Sequence, residues 1–287
     1  YKEISKLLND NELSDLEQVH KENLKSKRSE DIISFYFSLL ENKDVCACKM
    51  EKNFASMLAD DQRGKYVFVI FYVAIIWHIA QIMKAKGLRM PHHLTFSGNG
   101  SKILNVLTPN DETLCRLTKL IFEKVYGEKY PRNGLVLIRP GNAKELTCKG
   151  GIANPQPQTF EQVNSAKAVL LGIDDKTFST DSKYDDIDEK DENKVIMNVK
   201  SFYNAFFELC DKFSMYDNFN IDSSILPKIK EKLYNDEANL RTYLQQGIKL
   251  RKEKSDKIGA PAIVEDSLFF YPLVGELNDL INFIYSL

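Results

Sequence analysis

The stretches VFVIFYVAIIWHIAQIM, residues 67–83, and LTFSGNGSKIL, residues 94–104, decide which folds this chain can adopt. The first contains only two strongly polar residues, His78 and Gln81, and both lie near its end. A helix that spans a bilayer needs roughly 20 predominantly apolar residues, so this run is slightly short for a membrane. A helix that is apolar all round is also what the centre of a packed domain needs. We therefore predict a buried helix that ends at Gly87, with a membrane-anchored protein as the less favoured alternative.

The second stretch has the pattern of a strand that leads through a glycine turn into a helix. Residues 93–97 are short, β-prone and bounded by proline and glycine, which predicts the strand. Gly98, Asn99 and Gly100 let the backbone approach a ligand closely, and the amides at the following helix start attract anions or polar ligand atoms. We expect Ser101 to cap this short helix. Because neither a G-x-G-x-x-G nor a Walker motif is present, an ordinary strand–turn–helix connection explains the pattern equally well.

The sequence that follows the turn alternates further helices with a second strand. Asn110 begins a helix with acidic residues in its first turn, and this helix is expected to end near Gly127. The residues LVLI at 135–138 form a second compact strand, and Asn142 and Glu145 have capping-box spacing for another helix. This order predicts a parallel pair of strands joined by a crossover. The predicted fold class is α+β and predominantly helical, with one small α/β segment.

This order of elements resembles the actin, heat-shock chaperone and sugar kinase superfamily of ATPases. In that family a buried helix leads to a strand that ends in a glycine motif, and this motif contacts the adenosine. A further helix, a strand and a helix that opens N-P-x-E-x-x-x-x-G then follow. The resemblance covers roughly residues 66–153. It implies that the adenosine pocket is lined by Gly98, Asn99, Gly100, Ser101 and Lys102.

The resemblance also sets limits on what this chain does alone. Glu145 and Gly150 match the closing helix of the family as structural residues, whereas Ala143 replaces its common proline. The two D-x-G hairpins with which the family binds phosphate are not present in the sequence. The resemblance therefore implies the C-terminal part of an ATPase that binds ATP or ADP, with Mg in the intact protein. It implies no hydrolysis by this chain alone.

The remaining sequence is charged and periodic, which indicates helical regions on either side of the α/β segment. We divide the chain into residues 1–65, 66–173 and 174–287. We expect residues 168–173 to form one more strand, and residues 174–194 to form a mobile surface loop because they are rich in charge. One apolar helical stripe is formed by Val195, Val199, Phe202, Phe206 and Leu209, and further helices are predicted at about 223–234, 236–257 and 265–286.

The composition is that of a globular protein that works inside the cell. Lys and Arg together number 39 and Asp and Glu number 41, so the net charge is -2 and no nucleic-acid partner is expected. The five cysteines favour reduced thiols over a disulfide framework. The sequence opens without the pattern of a secretory signal. We expect a cytoplasmic location.

Other residue types that can carry chemistry are better explained by structure. Cys46 and Cys48 lack a second pair at zinc-finger spacing, and Cys148 lacks a histidine partner. His78 is expected to be a hydrogen-bonded core residue, and the pair His92 and His93 to be solvated. The aromatic residues Phe269, Phe270 and Tyr271 are expected to pack a helix start. A run of acidic residues is expected to be solvated: Asp185, Asp186, Asp188 and Glu189.

Two functions of different classes follow from these observations. The first is the C-terminal part of an actin-like ATPase that carries part of an adenosine site and is not catalytic alone. The second is a helical interaction or scaffold domain without nucleotide, which explains the charged helices and the missing phosphate motifs. Under either function, we expect the helical regions to bind a protein partner.

Overall fold

The computed structural model of this protein describes residues 58–97, 101, 103–131, 134–139, 183–258, 264 and 267–287. Contacts divide the chain into two compact units, residues 1–60 and residues 61–287. The elements of the second unit are α1 (Lys65–Ala85), β1 (His93–Thr95), α2 (Leu104–Leu107), α3 (Asp111–Tyr126), β2 (Val136–Ile138), α4 (Glu189–Phe213), α5 (Met215–Phe219), α6 (Leu226–Asn235), α7 (Glu237–Ile258) and α8 (Phe270–Ser286). This order confirms a predominantly helical α+β fold, whereas the likeness to an actin-type subdomain stays a prediction.

Helix α1 lies at the centre of the core. It begins where the side chain of Asp61 accepts hydrogen bonds from the amides of Arg63 (3.1 Å) and Gly64 (2.9 Å). It ends before Gly87, which has a φ of 69°. Seven of its residues are completely buried: Tyr66, Val69, Ile70, Val73, Ala74, Ile76 and Ala80. The predicted buried helix is therefore confirmed.

The same helix is long and apolar enough to cross a membrane, and 61% of its most apolar window is buried inside the fold. The central helix of a packed domain has this same length and composition. The expectation that the protein has no membrane contact stays a prediction.

Strands β1 and β2 form the predicted parallel pair. His93 lies opposite Val136, and Thr95 lies opposite Ile138. The connection between them carries α2 and α3, so the predicted crossover is confirmed. Helix α2 begins at Leu104, and its cap residue Ile103 makes no side-chain cap. The expected cap at Ser101 stays a prediction.

Helix α3 has both ends that its sequence predicts. The side chain of Asn110 accepts hydrogen bonds from the amides of Glu112 (2.9 Å) and Thr113 (3.2 Å). Its last residue is followed by Gly127 with a φ of 77°, a conformation that glycine adopts without strain.

The helices of the C-terminal part confirm the predicted apolar stripe and three predicted helices. The stripe residues of α4 are all buried, and α6, α7 and α8 lie where helices were expected. The expected surface loop is wrong from Glu189 onward, because α4 begins there. Asp188 caps this helix by accepting a hydrogen bond from the amide of Asp191 at 2.9 Å. Acidic residues complement the helix dipole there, so this charge marks a helix start.

One hydrophobic core joins the α/β part to the C-terminal helices. It contains buried residues of α1 and α3 together with residues of α4, α6 and α8. A smaller cluster forms between the start of α4, helix α7 and the segment before α8.

Several predictions concern residues outside the described part. These are the N-terminal helical region through residue 57, the strand at 168–173, the helix opened by Asn142, and Cys46, Cys48 and Cys148. The division of residues 61–287 at position 173 also stays a prediction.

Candidate functional site

A cavity of about 220 Å³ lies between α1, the carboxyl end of β1 and α2. Its position matters because the glycine turn of the sequence begins directly after Ser97, which lies at the mouth of this cavity. The described lining residues are aromatic, aliphatic or hydroxyl-bearing: Phe68, Phe71, Tyr72, Ile75, Phe96, Ser97, Ser101, Ile103, Leu104 and Leu107.

Tyr72 gives the cavity one fixed aromatic wall. Its hydroxyl shares a hydrogen bond of 2.6 Å with Thr118, and the hydroxyl of Thr118 donates to the carbonyl of Leu114 at 2.7 Å. The ring of Phe96 lies 6.2 Å from that of Tyr72, tilted by 38°. Burial raises the pKa of Tyr72, so this hydroxyl stays neutral. The aromatic wall is therefore held by α3 as well as by α1.

Arg139 fixes the other side of this region. It follows β2 directly and donates to the side chain of Asn105 (3.1 Å) and to the carbonyl of Pro109 (3.1 Å). It also forms an ion pair with Asp111. One arginine thus ties the carboxyl end of β2 to α2 and to the start of α3. Sequence reasoning missed this residue, because its contacts become visible only when the crossover is folded.

The chemistry of the cavity is that of a binding site for an uncharged ring. None of its described lining residues carries a charge, so this part of the lining offers no general base and no cation to pair with a phosphate. Its volume is below the roughly 300–1,000 Å³ of pockets that enclose whole drug-sized ligands. An aromatic base therefore matches its size and polarity better than a complete nucleotide does.

Of the predicted site residues, the structure describes only Ser101. Ser101 is half-buried and lines the cavity. Gly98, Asn99, Gly100 and Lys102 lie outside the described residues, so their role in an adenosine pocket stays a prediction. What the sequence did not reveal is the contribution of α1, whose apolar composition explains a core helix without any ligand.

His78 is the core histidine that the sequence predicts. It is 3% exposed, and its Nε2 shares a hydrogen bond of 2.5 Å with the hydroxyl of Ser267. Its ring stacks on Phe269 at 4.9 Å and meets the ring of Phe270 edge-on at 5.3 Å, so these aromatic residues do pack the start of α8. Burial lowers the pKa of His78 to about 4, and the ring is therefore neutral at physiological pH.

The other chemical candidates form no centre in the described part. His92 and His93 are exposed, and Cys115 and Cys210 are unpaired thiols. Within the described ranges no group of three or more His, Cys, Asp or Glu residues is placed to hold a metal ion.

No known protein family, curated protein or solved structure matches this chain.

Proposed function

We propose that the cavity beside β1 binds the adenine ring of ATP or ADP, and that this chain is part of an actin-like ATPase. The observation that carries the proposal is the position of an uncharged aromatic cavity directly before the glycine turn at Gly98. In this proposal the phosphate-binding half is supplied from outside the present sequence, and the chain alone does not hydrolyse ATP.

The strand arrangement supports the proposal. Ligands of α/β folds bind at the carboxyl ends of parallel strands. The cavity lies at the carboxyl end of β1, and β2 runs parallel to it with Arg139 at its own carboxyl end. The glycine turn therefore occupies the place in the chain where such folds bring backbone close to a ligand.

The lining supports a base as the part of the ligand that is bound. Stacking of a base on an aromatic side chain contributes about 1–3 kcal/mol. Phe68, Tyr72 and Phe96 present aromatic surface to the cavity. We therefore expect the base to supply most of the binding free energy, and adenosine to bind with a dissociation constant on the order of 0.1–1 mM.

The test is calorimetric titration of adenosine, ADP and ATP into the full chain and two tryptophan variants. Ile103 lines the cavity and is 41% exposed, so Ile103→Trp fills the mouth without disturbing the core. Val136→Trp is the matched control, since Val136 is 49% exposed and does not line the cavity. We expect Ile103→Trp to weaken adenosine binding at least about tenfold, and Val136→Trp to leave it unchanged.

A second variant tests the glycine turn directly. Gly98→Val combined with Gly100→Val should abolish adenosine binding while the circular dichroism spectrum is retained. Absence of adenosine binding to the unmodified chain contradicts the proposal. That result would leave a helical interaction domain without nucleotide as the better description of this protein.

A further inference from the structure

A second depression lies between two long helices of the C-terminal part. Helices α7 and α8 flank a groove of about 740 Å³, and His78 and Ile82 of α1 form part of its floor. Two large apolar side chains stand on its rims: Leu250 of α7 is 66% exposed and Val274 of α8 is 43% exposed. We call this depression the α7–α8 groove.

The shape of the α7–α8 groove is fixed by two reciprocal contacts. The ring of Tyr271 on α8 covers Gly247 on α7, and the ring of Tyr243 on α7 covers Gly275 on α8. The hydroxyl of Tyr243 is in turn bonded to Asp279. Because both tyrosines are held in place, the groove exists before a ligand arrives, and binding does not require its walls to be ordered.

The groove continues into a positively charged surface. On a helix, residues three and four positions apart share one face, so Gly247, Leu250, Lys254 and Lys257 lie in line. Residues 249–257 contain five basic residues and two acidic ones.

Two of these cations are available to a partner. Lys252 is already bonded to Asp185 at 2.5 Å. Lys254 and Lys257 are exposed and form no ion pair with the described part of the chain. We call Lys254 and Lys257 the basic strip.

We propose that the α7–α8 groove binds an acidic amphipathic helix of a partner protein. Leu250 and Val274 receive the apolar face of that helix, in the helix-in-groove mode of peptide recognition. The basic strip pairs with acidic side chains that flank the apolar face. A concave trough between two helices fits a single helix better than it fits a flat bilayer. The net charge of the whole chain is -2, so this preference for acidic partners is local to the groove.

The probe is a fluorescein-labelled helical peptide of about 16 residues, with leucine at i, i+3, i+4 and i+7 and glutamate elsewhere. Its binding to the full chain is followed by fluorescence anisotropy. A peptide with lysine in place of glutamate tests the role of charge. We expect the acidic peptide to bind with a micromolar dissociation constant that rises with salt, and the basic peptide to bind at least about tenfold more weakly.

Two pairs of variants locate the binding surface. Leu250→Asp should weaken binding of the acidic peptide at least about tenfold, because it replaces one of the two exposed apolar contacts with a negative charge that repels the peptide. Met197→Asp is its control, since Met197 is 67% exposed on α4 and does not line the groove. Lys254→Glu should weaken binding severalfold and remove part of its salt dependence, whereas Lys228→Glu on α6 should do neither.

Three results would overturn the proposal. The first is no binding of the acidic peptide, and the second is binding that survives Leu250→Asp. The third is equal affinity for the acidic and basic peptides. Vesicles that contain phosphatidylserine are tested in parallel. If the acidic peptide does not bind, and the vesicles bind in a manner that depends on Leu250 and Lys254, the groove is a membrane surface and the proposal is wrong.

Discussion

Glu276 is a carboxylate in an environment that disfavours its charge. It is 0% exposed, and neither carboxylate oxygen has a hydrogen-bond partner. The Nζ atom of Lys232 lies 3.7 Å from its Oε1, but Lys232 also pairs with Asp236. The lysine and Asp236 neutralise each other, so an ionised Glu276 would add an uncompensated buried charge. Burial raises the pKa of Glu276 from 4.5 to about 7, and Lys232 acts in the opposite direction.

Other polar groups around Glu276 do not offset this charge. The hydroxyl of Tyr203 on α4 is buried without a partner, and the negative charge of Glu276 adds to the burial that raises the pKa of Tyr203. Asp279, one helical turn further along α8, raises the pKa of Glu276 as well. The folded protein therefore holds a proton on Glu276 in a pH range where the unfolded chain does not.

We predict that Glu276 makes the protein lose stability as the pH rises from about 4.5 through about 7, and that Glu276→Gln removes this loss. The folded pKa lies above the unfolded one, so this contribution is fully present below about pH 4.5 and is lost as the pH passes about 7. The loss is on the order of 1–3 kcal/mol by about pH 8. Urea unfolding of the unmodified chain and of the variant between about pH 5 and pH 8 measures it as the difference between their two pH profiles.

The difference between the two pH profiles isolates the contribution of Glu276 to the free energy of unfolding. Burial lowers the pKa of His78 from 6.5 to about 4, so His78 makes the protein more stable as the pH rises through that interval. His78 is unchanged in Glu276→Gln, so its effect cancels in the difference between the two pH profiles. Glu208→Gln changes an exposed carboxylate and should keep the slope of the unmodified chain. Identical slopes for the chain and Glu276→Gln would contradict the prediction.

At the scale of elements, the pair α7–α8 depends on two glycines that the sequence places within helices. Glycine normally weakens a helix interior by about 1 kcal/mol relative to alanine. At Gly247, however, an added Cβ would lie 2.6 Å from ring atoms of Tyr271. Real Cβ atoms do not approach other heavy atoms that closely, so the two helices would have to separate.

We therefore predict that Gly247→Ala destabilises the protein by about 1–3 kcal/mol, although alanine is the better helix former. The combination with Tyr271→Ala should show a favourable coupling, because the smaller side chain accommodates the new methyl group. Chemical denaturation of the single and double variants measures this coupling. An increase in stability on Gly247→Ala would show that Tyr271 leaves room for a methyl group at position 247, and would contradict the close packing of α7 on α8.

The elements also show how far the sequence predicts the fold. Helix α3 was predicted with both ends, since Asn110 and Gly127 are signals that act within one turn of the chain. The sequence does not predict the start of α4, because its dense run of charge is also typical of a surface loop, whereas in the structure Asp188 caps the helix there. The roles of Arg139 and Gly247 depend on partners far away in the sequence, and no local pattern encodes them. The resemblance implies a pocket at the glycine turn, but no local pattern in the sequence indicates the aromatic wall that α1 gives to the cavity beside β1.

At the scale of the whole molecule, α1 connects the α/β part to the C-terminal helices. Trp77 of α1 is the one tryptophan of the chain, and its ring lies 6.4 Å from that of Phe202 on α4. Gln81 of α1 also donates a buried hydrogen bond of 2.8 Å to Asn198 on α4. These contacts make the two parts share one core, so we expect them to unfold together rather than as separate domains.

We predict that Phe202→Ala lowers the stability of the α/β part as much as that of the C-terminal helices. Phe202 is completely buried, so its removal should cost about 3–5 kcal/mol. Hydrogen exchange followed by mass spectrometry reports separately on α3, which lies in the crossover, and on α6, which does not contact β1 or β2 closely. If the core is cooperative, the amides of both helices lose the same protection, and the fluorescence of Trp77 changes at the same denaturant concentration. If instead the amides of α6 lose protection and those of α3 do not, a domain boundary lies near residue 173. Helix α1 would then belong to the α/β domain alone.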